Sequence, residues 1–70
     1  MKTNTQNSVN TTLITKISET KGRFFGLYLR SGEVLNAQYR SQTDSYVRIF
    51  DRNAKQDRLI KKTSITAASV

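Results

Sequence analysis

The chain has no cysteine and no histidine among its 70 residues. Without cysteine, no disulfide can brace a small fold and no thiolate can hold a metal. With histidine missing too, zinc and other transition metals lose their usual ligands, and only five Asp and Glu remain. A Ser or Thr nucleophile would have no imidazole base beside it. The acids Glu19, Glu33, Asp44, Asp51 and Asp57 fall in or beside polar breaks with basic neighbours, a poor setting for a working pair of carboxylates. No glycine-rich phosphate loop occurs. These absences argue against an enzyme and against a bound metal or cofactor.

Long apolar runs are also missing. No segment is long and apolar enough to span a bilayer. The stretch "MKTNTQNSVN" has no apolar run behind its lysine, so no signal peptide is expected. The lack of cysteine fits a reducing compartment, and the expected location is the cytoplasm. A chain this short buries only about 60% of the surface its unfolded form exposes, so its stability is marginal unless something such as assembly adds to it.

Positive charge is what the chain has in excess. Lys and Arg number 12 against five acids, a net +7. That bias favours solubility and a polyanionic partner and says nothing about fold.

Residues 1–10 are mostly Thr, Asn, Gln and Ser, with one lysine, Met1 and Val9. They lack periodicity and read as a flexible, disordered N-terminal tail. Short runs of period two follow. "TTLITKIS" (11–18) sets Leu13 and Ile17 against Ile14 and Lys16, and "RFFGLYLR" (23–30) is the second run. Ser31-Gly32 reads as a tight turn, since glycine tolerates positive φ. "EVLNAQYR" (33–40), "SYVRIFD" (45–51) and "RLIKK" (58–62) complete five runs, and "TSI" (63–65) reads as one helical turn returning Ile65 to the core. Residues 67–70 are small and expected to fray. The pattern predicts an all-β fold: five short antiparallel strands over residues 11–66, closed into a small barrel that leaves no bare edges.

The order of parts carries a resemblance. Gly22-Arg23-Phe24-Phe25 opens "KGRFFGLYLRSGEVLNAQYR", and "YVRIFDRNAKQDRLIKKTSI" gives a closing hairpin that runs into a short turn. This resembles the SH3-like β-barrel, in particular the small SH3-like barrel proteins of tailed bacteriophages. The likeness spans roughly residues 20 to 66. It implies a fold more than an activity. The wider group includes nucleic-acid binders and peptide-binding adaptors, and a phage-encoded chain would work in the host cytoplasm.

In a small barrel, alternate residues fill the interior. The expected core is Leu13, Ile17, Phe25, Leu27, Leu29, Leu35, Ala37, Val47, Ile49, Leu59 and Ile65, with Tyr39 at its margin. The opposite parities collect Phe24, Tyr28, Arg30, Gln38, Arg40, Tyr46, Arg48 and Phe50. Aromatics interleaved with arginines make a stacking platform for bases, at about 1–3 kcal/mol per stacked base, with the cations on phosphates. Gly26 would leave room for a ligand or another backbone. Phe24 and Phe50 have an alternative role as a second small core, packed by the N-terminal segment or a second subunit. Tyr28 and Tyr46 suit a wet surface better, because each carries a hydroxyl.

A second basic group lies on the closing hairpin: Arg48, Arg52, Lys55, Arg58, Lys61 and Lys62. It is either a phosphate-binding surface or a solvated hairpin whose charges keep its edge from aggregating. Asp51 and Arg58 flank the hairpin turn and are placed to pair across it. Two functions follow. The first is binding of nucleic acid, DNA or RNA, with little sequence preference. Its residues are Tyr28, Arg30, Arg40, Tyr46, Arg48, Arg52, Lys55, Arg58, Lys61 and Lys62. The second is a protein-interaction module that docks on a host protein or forms a homo-oligomer, with Phe24 and Phe50 in its surface.

Overall fold

A computed structural model describes residues 11–70. The tail expected over residues 1–10 lies outside the described residues. A helix, α1, occupies residues 11–18. Five strands follow: β1 (Phe24–Leu29), β2 (Val34–Gln42), β3 (Tyr46–Asp51), β4 (Gln56–Lys61) and β5 (Ile65–Ala68), with a 3-10 turn at Lys62–Ser64 before the last. All pairings are antiparallel. The strands form one sheet in the order β4-β3-β2-β1-β5.

The helix corrects the first expectation, in which 11–18 was a strand. Leu13, Ile14 and Ile17 satisfy a helical stripe as well as they satisfy alternation. A strand would leave Ile14 on the polar side, whereas the helix buries Ile14 and Ile17 together and packs Leu13 beside them. The helix ends where Lys21 and Gly22 take positive φ, 51° and 87°, the left-handed geometry that stops helices. Thr20, also buried, caps the last turn by donating its hydroxyl to the Ile17 carbonyl at 2.8 Å.

The core is Ile14, Ile17, Phe25, Leu27, Leu35, Ala37, Val47, Ile49, Ile60 and Ile65. Leu13, Leu29 and Tyr39 pack partly buried against it. Leu59 does not belong there. It is 63% exposed, and its neighbour Ile60 points inward instead. In a run as short as "RLIKK", period two cannot decide which of two adjacent apolar residues faces in, and a slip of one residue exchanges the faces.

The first hairpin turns where expected, at Ser31-Gly32, with Gly32 at φ 97° and its N–H donating to the Leu29 carbonyl at 2.9 Å. The fifth strand is not the run at 58–62, which is β4, but Ile65–Ala68. It reaches two residues into the segment expected to fray. Ser69 continues the contact: its N–H donates to the Gly26 carbonyl at 2.9 Å and its hydroxyl accepts the Gly26 N–H at 2.7 Å. The sheet is open, not a closed barrel, because β4 and β5 are its two edges. It is nevertheless curled. Arg58 on β4 reaches Glu33 beside the β1–β2 turn at 3.3 Å.

Candidate nucleic-acid interface

Because β1, β2 and β3 send alternate residues inward, their other parity forms the outward face. One row crosses four strands in register: Phe24, Gln38, Phe50 and Asp57. The Phe24 and Phe50 rings meet edge to face, centroids 6.4 Å apart. Arg40 places its guanidinium 5.2 Å from the centre of Phe50, and Arg52 lies 5.0 Å from that of Phe24. Such cation–aromatic contacts contribute about 0.5–1 kcal/mol at exposed sites. Gln38, between the two rings in the row, donates its amide to the Gly22 carbonyl.

Asp57 is the acid in this patch. Its carboxylate pairs with Arg48 Nε at 3.2 Å and with Arg40 Nε at 3.6 Å. Asp57 had no part in the sequence argument beyond its charge. The signal was there: a hairpin with its turn at 52–55 sets Asp57 opposite Phe50, among the outward arginines. Lys55 stands at that turn with φ 57°.

Tyr28 lies apart from this patch, on β1, 43% exposed. Its ring lies beside Gly26. A side chain at Gly26 would start 3.6 Å from the Tyr28 ring and 3.1 Å from the Ser69 hydroxyl. The space expected to admit a ligand is therefore used by the chain's own Ser69 hydroxyl and Tyr28 ring.

The remaining cations gather around the 3-10 turn. Arg30 donates through Nη2 and Nε to the Thr63 carbonyl, at 3.1 and 3.3 Å. The Lys62 N–H donates to the Ser45 carbonyl at 2.9 Å. Tyr46 is the cross-strand partner of Lys61, and both are exposed. The expected site residues thus form two groups, one over Phe24 and Phe50 and one at the 3-10 turn, with Tyr28 on a third strip.

Arg58 has a different occupation. It faces inward beside Ile60 and joins two carboxylates, Asp51 at 3.2 Å and Glu33 at 3.3 Å. Asp51 is buried, and its Oδ1 accepts the N–H groups of Asn53 and Ala54 at 3.0 and 3.2 Å. Its pKa is lowered, first by the Ala54 N–H; burial pushes the other way, and Arg58 and the Asn53 N–H add to the lowering. The Arg58 pKa is raised, chiefly by the hydrogen bond to Asp51. The expected Asp51–Arg58 pair is present, with Glu33 as a third member that sequence spacing did not reveal. This arginine's charge is matched inside the fold.

The chain matches no protein-family model, and neither the curated proteins nor the solved structures give a significant match.

Proposed function

We propose that the protein binds single-stranded nucleic acid with little sequence preference, through stacking on outward aromatics and contacts from cations to phosphates. One observation carries this: exposed Phe24, Tyr28 and Tyr46 share the outward side of the sheet with Arg40, Arg48 and Arg52, on a chain of net charge +7. Every base has a face that can stack, so such a surface tolerates any sequence. Arg58 is left out of the phosphate contacts because two carboxylates already hold it. The scaffold of this reading is an SH3-like barrel left open along one seam. The antiparallel order, the 3-10 turn before the last strand and the reach of Arg58 across to Glu33 support that description.

The test is fluorescence anisotropy with unrelated labelled DNA and RNA single strands. Affinity should fall by one or more orders of magnitude between about 50 and 200 mM salt, and alike for each sequence. Binding that ignores salt, or none at low salt, would refute the proposal.

A second reading is favoured by one feature, that β4 and β5 are the outermost strands of the sheet among the described residues. An exposed edge is a template for another strand. The β4 edge of one copy and the β5 edge of the next can pair head to tail, which closes into a ring or grows as a filament. A homo-oligomer, or a host protein that lends a strand, would satisfy those edges. Light scattering across a range of concentrations separates a monomer from such an assembly.

A further inference from the structure

We propose that Arg40 and Arg48 form a seat for one phosphate group of a nucleic-acid backbone, and that Asp57 fills this seat in the free protein. The inference rests on the nucleic-acid reading and adds to it a particular site and a built-in competitor.

The backbone shows how the seat is made. On β2, Tyr39 pairs with Ile49 and Ser41 pairs with Arg48, so Arg40 is an extra residue with no partner on β3. Such a bulge bends the strand and re-aims one side chain. Without it, the register would set Arg40 opposite Arg48, and like charges directly opposed are unfavourable. With it, Ser41 takes that place, and Arg40 is free to lie over the Phe50 ring, 5.2 Å from its centre. Phe50 is itself the cross-strand partner of Asp57. Two guanidinium groups from neighbouring strands therefore converge on one small anion.

The occupant is a carboxylate, and a phosphodiester offers the same pair of acceptor oxygens to an arginine. The exchange is feasible because the present pairs are weak. The Arg40, Arg48 and Asp57 side chains keep 47%, 56% and 37% of their surface exposed, and exposed ion pairs contribute little. An incoming phosphate must displace Asp57 before it gains both arginines. Free-protein affinity is thus held below what the arginines alone would give.

Anisotropy titrations at low salt on four proteins test this: wild type, Asp57→Asn, its double variant with Arg40→Ala, and Glu19→Gln, an exposed acid just past α1 that serves as the charge-matched control. Asp57→Asn should bind a labelled single strand about three- to tenfold more tightly than Glu19→Gln does, the range set by two exposed ion pairs. Adding Arg40→Ala to Asp57→Asn should abolish that gain. A gain no larger than that of Glu19→Gln, or one that survives Arg40→Ala, would overturn the seat and leave the nucleic-acid reading standing. No binding by wild type, Asp57→Asn or Glu19→Gln would overturn both.

Discussion

Replacing Asp51 with asparagine tests the ionic lock that joins the β3–β4 turn to the first hairpin. Asp51→Asn keeps an oxygen for the N–H groups of Asn53 and Ala54. It sets an amide N–H₂ against the Arg58 guanidinium, where Oδ2 now accepts at 3.2 Å. Hydrogen bonds to charged groups contribute about 1.5–3 kcal/mol. Removing one partner of a fully buried pair costs about 3–5 kcal/mol, but Arg58 keeps Glu33 and a third of its side-chain surface in water. The lower range therefore applies, about 2 kcal/mol, or a fall in Tm of about 8–16 °C for a domain this size. The pH dependence has a fixed sign. The Asp51 pKa is lowered from 3.8, so its contribution is complete above that value and is lost as pH falls through the folded-state value. Arg58 stays charged throughout an acid titration. Urea unfolding of both proteins from pH 7 down to pH 2 should show a gap of about 2 kcal/mol that closes in the acid range. A gap that stays constant with pH, or one under about 0.5 kcal/mol at pH 7, would refute the lock.

Ile17→Ala should cost about 2–4 kcal/mol, because Ile17 is fully buried under the sheet, whereas Leu59→Ala should stay within about 0.5 kcal/mol; thermal melts of both would expose a misplaced helix or a misassigned face. Gly26→Ala should destabilise by about 1 kcal/mol, since the new methyl would stand 3.1 Å from the Ser69 hydroxyl, and hydrogen exchange should show faster opening of β5. Tyr28→Ala should weaken single-strand binding by about 1–3 kcal/mol without changing its salt slope, while Lys61→Ala should flatten that slope by about one unit. Equal behaviour of these two variants in the same salt titration would remove the stacking platform.

What the sequence made legible follows its strongest periodic signals. The parities of "RFFGLYLR" and "SYVRIFD" put Phe25, Leu27, Val47 and Ile49 inside, because several apolar residues in each run agree on one face. The turn at Ser31-Gly32 was legible because it needs the positive φ that glycine allows. Weak or ambiguous signals failed. Leu13, Ile14 and Ile17 fit two periods, and only burial of Ile14 and Ile17 together in the core selects the helix. β5 is Ile-Thr-Ala-Ala, with too little side chain to announce a strand; its pairing with β1 is decided by tertiary contact, not by propensity. The outward aromatics and arginines were visible as residues on one parity. Asp57, their acidic partner, follows only once the hairpin register sets it opposite Phe50, and Glu33, which reaches the inward Arg58 from beside the β1–β2 turn, had no signal in the spacing.

Those partners change what the net charge means. A composition of +7 suggests a surface on which every cation is available to a polyanion. The fold assigns the charges unequally. Arg58 is committed to Asp51 and Glu33 and serves the curl of the sheet. Arg40 and Arg48 share Asp57, and Arg40 also lies over the Phe50 ring. Arg52 is drawn over Phe24. Nonspecific attraction to a basic protein would weaken in proportion to charge removed, whichever cation was lost. In this chain, loss of Arg58 should act first on stability, and loss of Arg40 or Arg48 on binding. The same unit of charge has different consequences because the strands, the bulge at Arg40 and the buried carboxylate at Asp51 give each arginine a different neighbour.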